Sequence, residues 1–175
     1  DVPRLGLENW VMGPQEYVHQ IATFKPDGDF SSWFMAGTVN LCRAKILQDL
    51  GGFDENIFLY QEDLDMCIRI SKAGHSIVCV PAAIAKHLNS QSAGGPSSKL
   101  HWRKDWNFAW STLYVLGKCA NKSVLWKEVR RILCKHGLKS LFYALVCDKK
   151  RFIRDSAATL GCISYLLGRK PTRPL

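Results

Sequence analysis

Several features that mark large protein classes are missing from this chain. No apolar run approaches the roughly 18 residues that a membrane-spanning helix needs. The seven cysteines are scattered without any C-x-x-C pair, so we expect reduced thiols in a cytoplasmic protein rather than a disulfide framework or a zinc ribbon. The sequence also contains no P-loop, G-x-G-x-x-G, G-x-S-x-G or H-E-x-x-H motif, which argues against the sites that those motifs define.

The first residues of the chain are also unusual. There is no initiator Met, and Asp1 opens a polar stretch instead of the basic segment and apolar run of a signal peptide. We therefore expect a fragment or a processed product of a longer protein. With 175 residues, the chain is still long enough for one domain with a hydrophobic core.

Acidic residues are scarce in the second part of the chain. Residues 99–175 hold 17 Lys and Arg against 4 Asp and Glu, whereas residues 1–98 hold 7 against 11, giving net charges of +13 and −4. Such asymmetry predicts two regions with different surroundings. The acidic region suits a metal site or an active-site cleft, and the basic region suits contact with phospholipid headgroups, a diphosphate or nucleic acid.

The most informative stretch runs from residue 51 to residue 87. Gly74 predicts the end of a helix that spans about residues 61–73. Asp63 lies in the middle of the helix arc that should be buried, where an unpaired carboxylate costs several kcal/mol unless a cleft, a metal or a ligand receives it. On a helical wheel, the other residues fall on an apolar arc (Leu64, Met66, Cys67, Ile68 and Ile70) and a polar arc (Glu62, Asp65, Arg69 and Lys72). Asp65 and Arg69 are four positions apart on the polar arc and are expected to pair on the surface.

Two interpretations of Asp63 are open from the residues alone. The helix dipole favours carboxylates in the first turn, although this explanation suits Glu62 and Asp65 better than Asp63. Alternatively, Asp63 and His87 meet at one edge of a sheet, where a carboxylate and an imidazole could serve as a base and a metal ligand. A lone histidine after a strand is more often a capped surface residue, so the pattern does not decide between the two.

Short elements are predicted around this helix. Gly37 permits close backbone approach within a buried segment, and Gly51 and Gly52 end a short helix. The predicted elements are a strand-like segment at 33–41, a helix at 43–50, strands at 76–81 and 82–87, and a polar loop at 89–98.

Residues 99–175 predict a helical region. Aromatic residues recur every four positions at 102, 106, 110 and 114, which is core or interface spacing on a helix. Gly117 and Gly137 are predicted to end the first and second helices, and a third, nearly all-apolar helix follows at 138–147. A fourth helix from about residue 149 to residue 167 is predicted to turn Phe152, Ile153, Leu160, Ile163 and Leu167 inward, before a basic, disordered tail from about residue 168.

The run from Phe34 to His87 resembles the C-terminal half of the catalytic domain of family-2 glycosyltransferases, bacterial inverting enzymes that include rhamnosyl- and galactofuranosyl-transferase types. The shared pattern is a glycine followed by an arginine, then GGFDE-x-x-F-x-Y-x-ED-x-D-x-x-x-R, a small-residue turn, V-P and a histidine, over about residues 33–92. The resemblance implies an α/β fold. Residues 1–98 would be the C-terminal part of the mixed sheet of a GT-A (nucleotide-diphospho-sugar transferase) domain, and residues 99–175 the helical C-terminal region.

The resemblance also implies roles for single residues. Asp63 would be the catalytic base of an inverting transfer, and His87 would help to hold a divalent metal, Mg²⁺ or Mn²⁺. The implied partners are a nucleotide-sugar donor and a saccharide or lipid-linked acceptor in cell-envelope or extracellular polysaccharide synthesis. The residues implied to line the acceptor side are Trp33, Gly37, Asp54, Phe58, Tyr60 and Glu62.

One element of the family pattern has no convincing counterpart. Before residue 33, where the family carries the D-x-D motif that binds metal and diphosphate, the only formal match is Asp27-Gly28-Asp29, which we interpret as a turn. We therefore expect the chain to be the C-terminal portion of a longer enzyme. Alone it would be inactive, and it would be poorly soluble because an incomplete sheet exposes strand edges and apolar surface.

The charge distribution predicts a location. The basic helices are expected to lie against the inner face of the cell membrane, which makes the protein cytoplasmic and peripheral. The alternative function is a non-catalytic basic helical module that docks on a membrane surface or on a partner subunit. No nucleic acid is expected as a partner, because charge is its only support and no OB, RRM or KH signature occurs.

Overall fold

The structure is a computed structural model that describes residues 28–85 and 98–171, with the backbone alone at 98–100. The described residues form two compact units, one of residues 28–52 and 63–85 and the other of residues 53–62 and 98–171. One boundary between the units therefore falls between Glu62 and Asp63. Residues 53–62 belong with the helical region that follows much later in the chain.

The first unit contains two short strands and two helices. β1 (Phe30–Ser32) and β2 (Ile77–Cys79) pair in antiparallel orientation, with Phe30 opposite Cys79. Where the structure describes them, the strands predicted at 33–41 and 82–87 are wrong, because these residues have no ladder partner. The elements are β1 (Phe30–Ser32), α1 (Ala44–Asp49), α2 (Glu62–Lys72, whose first residue belongs to the second unit) and β2 (Ile77–Cys79).

The central helix α2 lies where the sequence predicts it. Gly74 takes a left-handed conformation with φ of 81°, which any residue with a Cβ adopts only with strain, and so confirms its role as the stop. All five residues of the predicted apolar arc are buried. The surface placement of Asp65 is wrong, because its side chain is fully buried and pairs with Arg69 Nε at 2.8 Å. The Leu50 carbonyl accepts from Arg69 Nη1 at 2.8 Å and so holds the guanidinium over Asp65.

The second unit is helical apart from residues 53–62. Its helices are α3 (Ser98–Cys119), α4 (Lys122–Ile132), α5 (Leu138–Leu145) and α6 (Lys149–Leu166), with a π-helical turn (Leu133–Gly137) joining α4 to α5. Within the described ranges, no helix combines the length and the apolar content that crossing a bilayer requires. The predicted aromatic ladder of α3 is confirmed as core, since Trp106 and Trp110 are buried. Trp102 stacks on Trp106, and Tyr114 stacks on Trp110.

Two predicted helix ends are wrong. The helices continue through Gly117 and Gly137, because neither glycine adopts the left-handed conformation that ends a helix. Gly117 instead leaves space for the Tyr165 hydroxyl.

The predicted inward face of α6 is also wrong. Phe152, Leu160, Ile163 and Leu167 are exposed, and only Ile153 is half-buried. The buried face of α6 consists of small residues and one acid: Asp155, Ala157, Ala158, Gly161 and Cys162. Small side chains let α6 pack closely against α3, where Trp106 and Trp110 share a buried cluster with Ala157.

We expect Gly161→Ala to destabilise the protein although alanine favours helices. A Cβ at residue 161 would meet the backbone carbonyl of Trp106 and the Ala109 Cβ, and a backbone atom cannot swing aside. Overpacking of this kind costs about 1–3 kcal/mol, more than the roughly 1 kcal/mol gained in helix propensity. Gly137→Ala is the matched control, because its Cβ would make only an ordinary contact with Thr159 at 3.9 Å. Chemical denaturation that gave both variants equal stability would contradict this packing account.

Candidate functional site

The Asp63 carboxylate lies in the first turn of α2 and is half-buried. Its Oδ2 accepts the Gly37 N–H at 3.2 Å, and its Oδ1 accepts the Leu64 N–H at 2.8 Å. A carboxylate has about four acceptor positions, so these bonds orient the group and leave lone pairs for a further proton. The geometry therefore suits a base that is held in a fixed orientation.

A second hydrogen bond fixes the same backbone segment one helical turn further along α2. Cys67 Sγ accepts the Met35 N–H at 3.3 Å, four residues after Asp63 on the helix and two residues before Gly37 on the segment. Burial raises the pKa of the Cys67 thiol to about 11, so the side chain is a neutral thiol at physiological pH. Asp63 and Cys67, on one face of α2, thus accept hydrogen bonds from the backbone N–H groups of Gly37 and Met35.

Other predicted residues of the first unit lie on or beyond this segment. Trp33 is half-buried, with its ring centroid 5.5 Å from that of Phe34. The Cα of Gly37 faces Asp63, since an added Cβ would lie 3.9 Å from Asp63 Oδ2. The predicted metal ligand His87 lies outside the described residues. In the described ranges, no three His, Cys, Asp or Glu side chains come close enough together to hold a metal ion.

Asp54 occupies a polar cluster in the second unit. Its Oδ2 accepts from Lys118 Nζ at 2.6 Å and from the Tyr114 hydroxyl at 3.0 Å, and its Oδ1 accepts from Asn56 N and Nδ2 at 2.9 Å. Burial alone would raise the pKa of Asp54, but the bonds from Lys118, Asn56 and Tyr114 outweigh it and hold the pKa far below its usual range. Asp54 therefore ties the segment 53–62 to α3.

The residues just before α2 have an unusual backbone. Tyr60 and Gln61 both take the left-handed conformation, with φ of 64° and 72°. Non-glycine residues in this region cost of order 1–3 kcal/mol each and persist only where neighbours enforce them. Here the enforcement comes from α3: Ser111 Oγ donates to the Leu59 carbonyl at 3.1 Å, and Gln61 Nε2 donates to Thr112 Oγ1 at 3.0 Å.

The aromatic residues predicted to line the acceptor side differ in exposure. The Tyr60 ring is half-buried and meets Phe108 edge-on, with centroids 5.8 Å apart. Burial, with the nearby charges of Asp105 and Glu62, raises the Tyr60 pKa, so its hydroxyl stays protonated and able to donate. Phe58 is 37% exposed, and Glu62 is half-buried at the start of α2.

The structure thus sorts the predicted site residues into two groups. In the first unit, Asp63 on α2 is in direct contact with Gly37, and Gly37 lies on the same chain segment as Trp33. Asp54, Phe58, Tyr60 and Glu62 belong to the second unit. Sequence reasoning missed Cys67 and Gln61. The i, i+4 spacing from Asp63 could have drawn attention to Cys67, whereas no sequence signal marks the left-handed Gln61.

Comparisons with known proteins point to one family. Residues 16–110, more than half of the chain, match the family described as Glycosyltransferase like family 2. The N-acetylglucosaminyl-diphospho-decaprenol L-rhamnosyltransferase of Mycobacterium tuberculosis is 34% identical over 92 residues, which are 52% of this chain and 30% of that protein. Rhamnosyltransferase WbbL of Escherichia coli is 42% identical over 52 residues, which are 30% of this chain and 20% of that protein. No solved structure gave a significant match.

The matched range contains the features that the sequence pattern singles out. It includes Asp63 with its Gly37 contact, the left-handed residues before α2, and the first half of α3. A family-2 domain implies the GT-A fold, of which the described part shows two short strands and the helices around them. The aligned ranges nevertheless cover less than a third of either rhamnosyltransferase. Because the family match covers more than half of the chain, the chain belongs to the family-2 glycosyltransferases.

Proposed function

We propose that this chain is the C-terminal portion of an inverting glycosyltransferase that uses a nucleotide-sugar donor. The observation that carries the proposal is the half-buried Asp63 carboxylate, oriented by the Gly37 N–H at the start of α2. The two rhamnosyltransferase relatives make L-rhamnose the first sugar to test. The mycobacterial relative, whose name includes a diphospho-decaprenol, makes a lipid-linked saccharide the first acceptor class to test. The product would belong to cell-envelope or extracellular polysaccharide.

In the proposed reaction, Asp63 takes the proton of an acceptor hydroxyl. The hydroxyl oxygen then attacks the anomeric carbon of the donor in line, and the bond between that carbon and the nucleoside diphosphate breaks. One glycosidic bond forms, one phosphoester bond is lost, and the configuration at the anomeric carbon inverts. General-base assistance contributes about 10²–10⁴-fold to such steps. Trp33, Asp54, Phe58, Tyr60 and Glu62 are the residues we propose for the acceptor side.

A divalent metal is part of the proposal, because family-2 enzymes generally depend on one. Mg²⁺ or Mn²⁺, when bound, supplies Lewis-acid stabilisation to a departing diphosphate. The residues that the structure describes do not form such a site, and His87, outside them, is the ligand we propose from this chain.

The reaction would take place in the cytoplasm at the inner face of the membrane. A lipid-linked acceptor is held in that surface, and the basic region 99–175, with 17 Lys and Arg against 4 Asp and Glu, suits anionic headgroups.

The function is tested on the complete reading frame that contains this chain. Purified enzyme is incubated with a panel of nucleoside-diphosphate sugars, L-rhamnose included, with a lipid-linked saccharide acceptor and with Mg²⁺ or Mn²⁺. We expect transfer from one donor, with inversion seen by NMR of the product. Residues 1–175 alone should transfer nothing, because Asp27-Gly28-Asp29, the only D-x-D before residue 33, is interpreted as a turn and not as a donor site. Absence of transfer and of donor binding with every sugar would favour the non-catalytic docking module instead.

A further inference from the structure

Helix α5 presents its apolar side to solvent. Leu138, Leu141, Phe142 and Leu145 follow the i, i+3, i+4, i+7 spacing that forms one stripe about 100° wide on a helix. These four side chains are 67%, 66%, 57% and 84% exposed. In a helix of a soluble bundle, this is the stripe that normally packs into the core.

The opposite side of α5 packs against α6 instead. Its half-buried residues are Ser140 and Tyr143, which lie three positions apart on the side away from the stripe. Ser140 Oγ donates to the Gly137 carbonyl at 2.8 Å, and the Arg151 guanidinium lies 5.5 Å from the centre of the Tyr143 ring. The helix is therefore held by its more polar side. Its apolar stripe is available to a partner outside the bundle.

Basic residues lie close to the stripe along the chain. Residues 133–154 contain six Lys and Arg and a single acid, Asp148. Arg151 pairs with Asp148 and Arg154 pairs with Asp155, and both arginine side chains remain partly exposed. Lysines in such positions extend toward headgroups while their methylene stems cover apolar surface. The exposed lysines are Lys135, Lys139, Lys149 and Lys150.

The dimensions and charge of this face favour a lipid surface over a protein. A helix of eight residues is about 12 Å long, so it can lie in the plane of a bilayer interface but cannot cross the roughly 30 Å hydrocarbon core. Four side chains of this size offer on the order of 400 Å², about half of what each partner contributes to a standard protein interface. A second copy of the chain would also bring two basic faces together, and like charges oppose association.

We propose that the exposed face of α5 docks on a bilayer surface rich in anionic phospholipid. Leu138, Leu141, Phe142 and Leu145 would enter the boundary between headgroups and acyl chains, with lysines at both ends of the helix against the phosphates. The purpose of this docking rests on the proposed function, since an enzyme held at the membrane would meet a lipid-linked acceptor in the same plane. Docking itself requires neither the donor nor the acceptor.

The test is co-sedimentation of the full-length enzyme with vesicles, without any sugar substrate. Phosphatidylcholine vesicles are compared with vesicles that also contain phosphatidylglycerol. We expect binding to the mixed vesicles that weakens as salt is raised, because headgroup attraction is screened. The double variant Leu141→Gln/Leu145→Gln should bind at least about tenfold more weakly, because it removes half of the apolar stripe. The variant Lys139→Gln/Lys150→Gln should lose preference for phosphatidylglycerol.

The matched control places the same substitutions at other exposed apolar positions. Leu41→Gln/Ile84→Gln changes side chains that are 101% and 91% exposed in the first unit, and it should bind like the wild type. Equal binding by the α5 variant and the wild type would overturn the proposal. The proposal would also be overturned if the wild-type enzyme stayed in the supernatant. The same holds if the wild-type enzyme formed an oligomer in the absence of vesicles and the α5 substitutions dissociated it. Transfer to a soluble acceptor analogue should survive in the α5 variant, so loss of docking is separable from loss of function.

Discussion

Asp63→Asn in the full-length enzyme is expected to lower kcat by about 10²–10⁴-fold, the usual contribution of a general base. Asparagine keeps the shape of the side chain, and its oxygen can still accept the Gly37 N–H, so the site should remain assembled. The amide cannot take the proton of an acceptor hydroxyl. Steady-state transfer kinetics should therefore show a large loss of kcat, while donor affinity measured by calorimetry stays near the wild-type value.

Asp49→Asn is the control for this substitution. Asp49 is an acid of the same unit, its side chain is 60% exposed, and it pairs with Lys45 on α1. We expect its kinetics to match the wild type. If Asp63→Asn kept the wild-type kcat, Asp63 would not be the catalytic base. If the variant lost donor binding together with kcat, Asp63 would act by binding the donor.

Asp65→Ala is expected to destabilise the protein by about 3–5 kcal/mol, because it leaves a buried cation without its partner. The Asp65 side chain is only 1% exposed, and that of Arg69 is 22% exposed. After the substitution, Arg69 would keep its bond to the Leu50 carbonyl but would have no carboxylate. The midpoint of urea unfolding, followed by circular dichroism, measures the loss.

The pair Lys45–Asp49 provides a like-for-like comparison. It has the same i, i+4 spacing and lies in the same unit, but its side chains are 83% and 60% exposed. Asp49→Ala should therefore cost about 1 kcal/mol or less. The double variant Asp65→Ala/Arg69→Met should recover part of the stability lost by Asp65→Ala, because no unpaired charge remains. Equal losses for Asp65→Ala and Asp49→Ala would contradict the burial of the pair.

Short-range signals in the sequence were sufficient for the position of α2 and for the buried face of α3. Gly74 ends α2 where expected, and the apolar arc of that helix is buried, because both depend on local backbone preference and helical periodicity. The aromatic spacing of α3 likewise led directly to its buried face. The wheel also showed that Asp63 needs a partner, although it could not show that the partner is the N–H of Gly37.

The failures came from contacts that no local pattern encodes. Asp65 looks like a surface residue on a helical wheel, which cannot show that the Leu50 carbonyl holds Arg69 over the buried carboxylate. The large apolar residues of α6 predicted the wrong face, because packing against the aromatic side chains of α3 requires small residues such as Gly161. Tyr60 and Gln61 give no sequence signal for left-handed backbone, since tertiary bonds from α3 enforce it.

The attachment of residues 53–62 to α3 determines where two homologues can be recombined. A chimaera joined within residues 89–97 would place one parent's Asp54, Leu59 and Gln61 against the other parent's Lys118, Ser111 and Thr112. Each mismatch would remove a bond that holds the strained turn leading into Asp63, even though the junction itself lies far along the chain. Exchange of the helical region should therefore include residues 53–62 as a second, separate insert from the same parent.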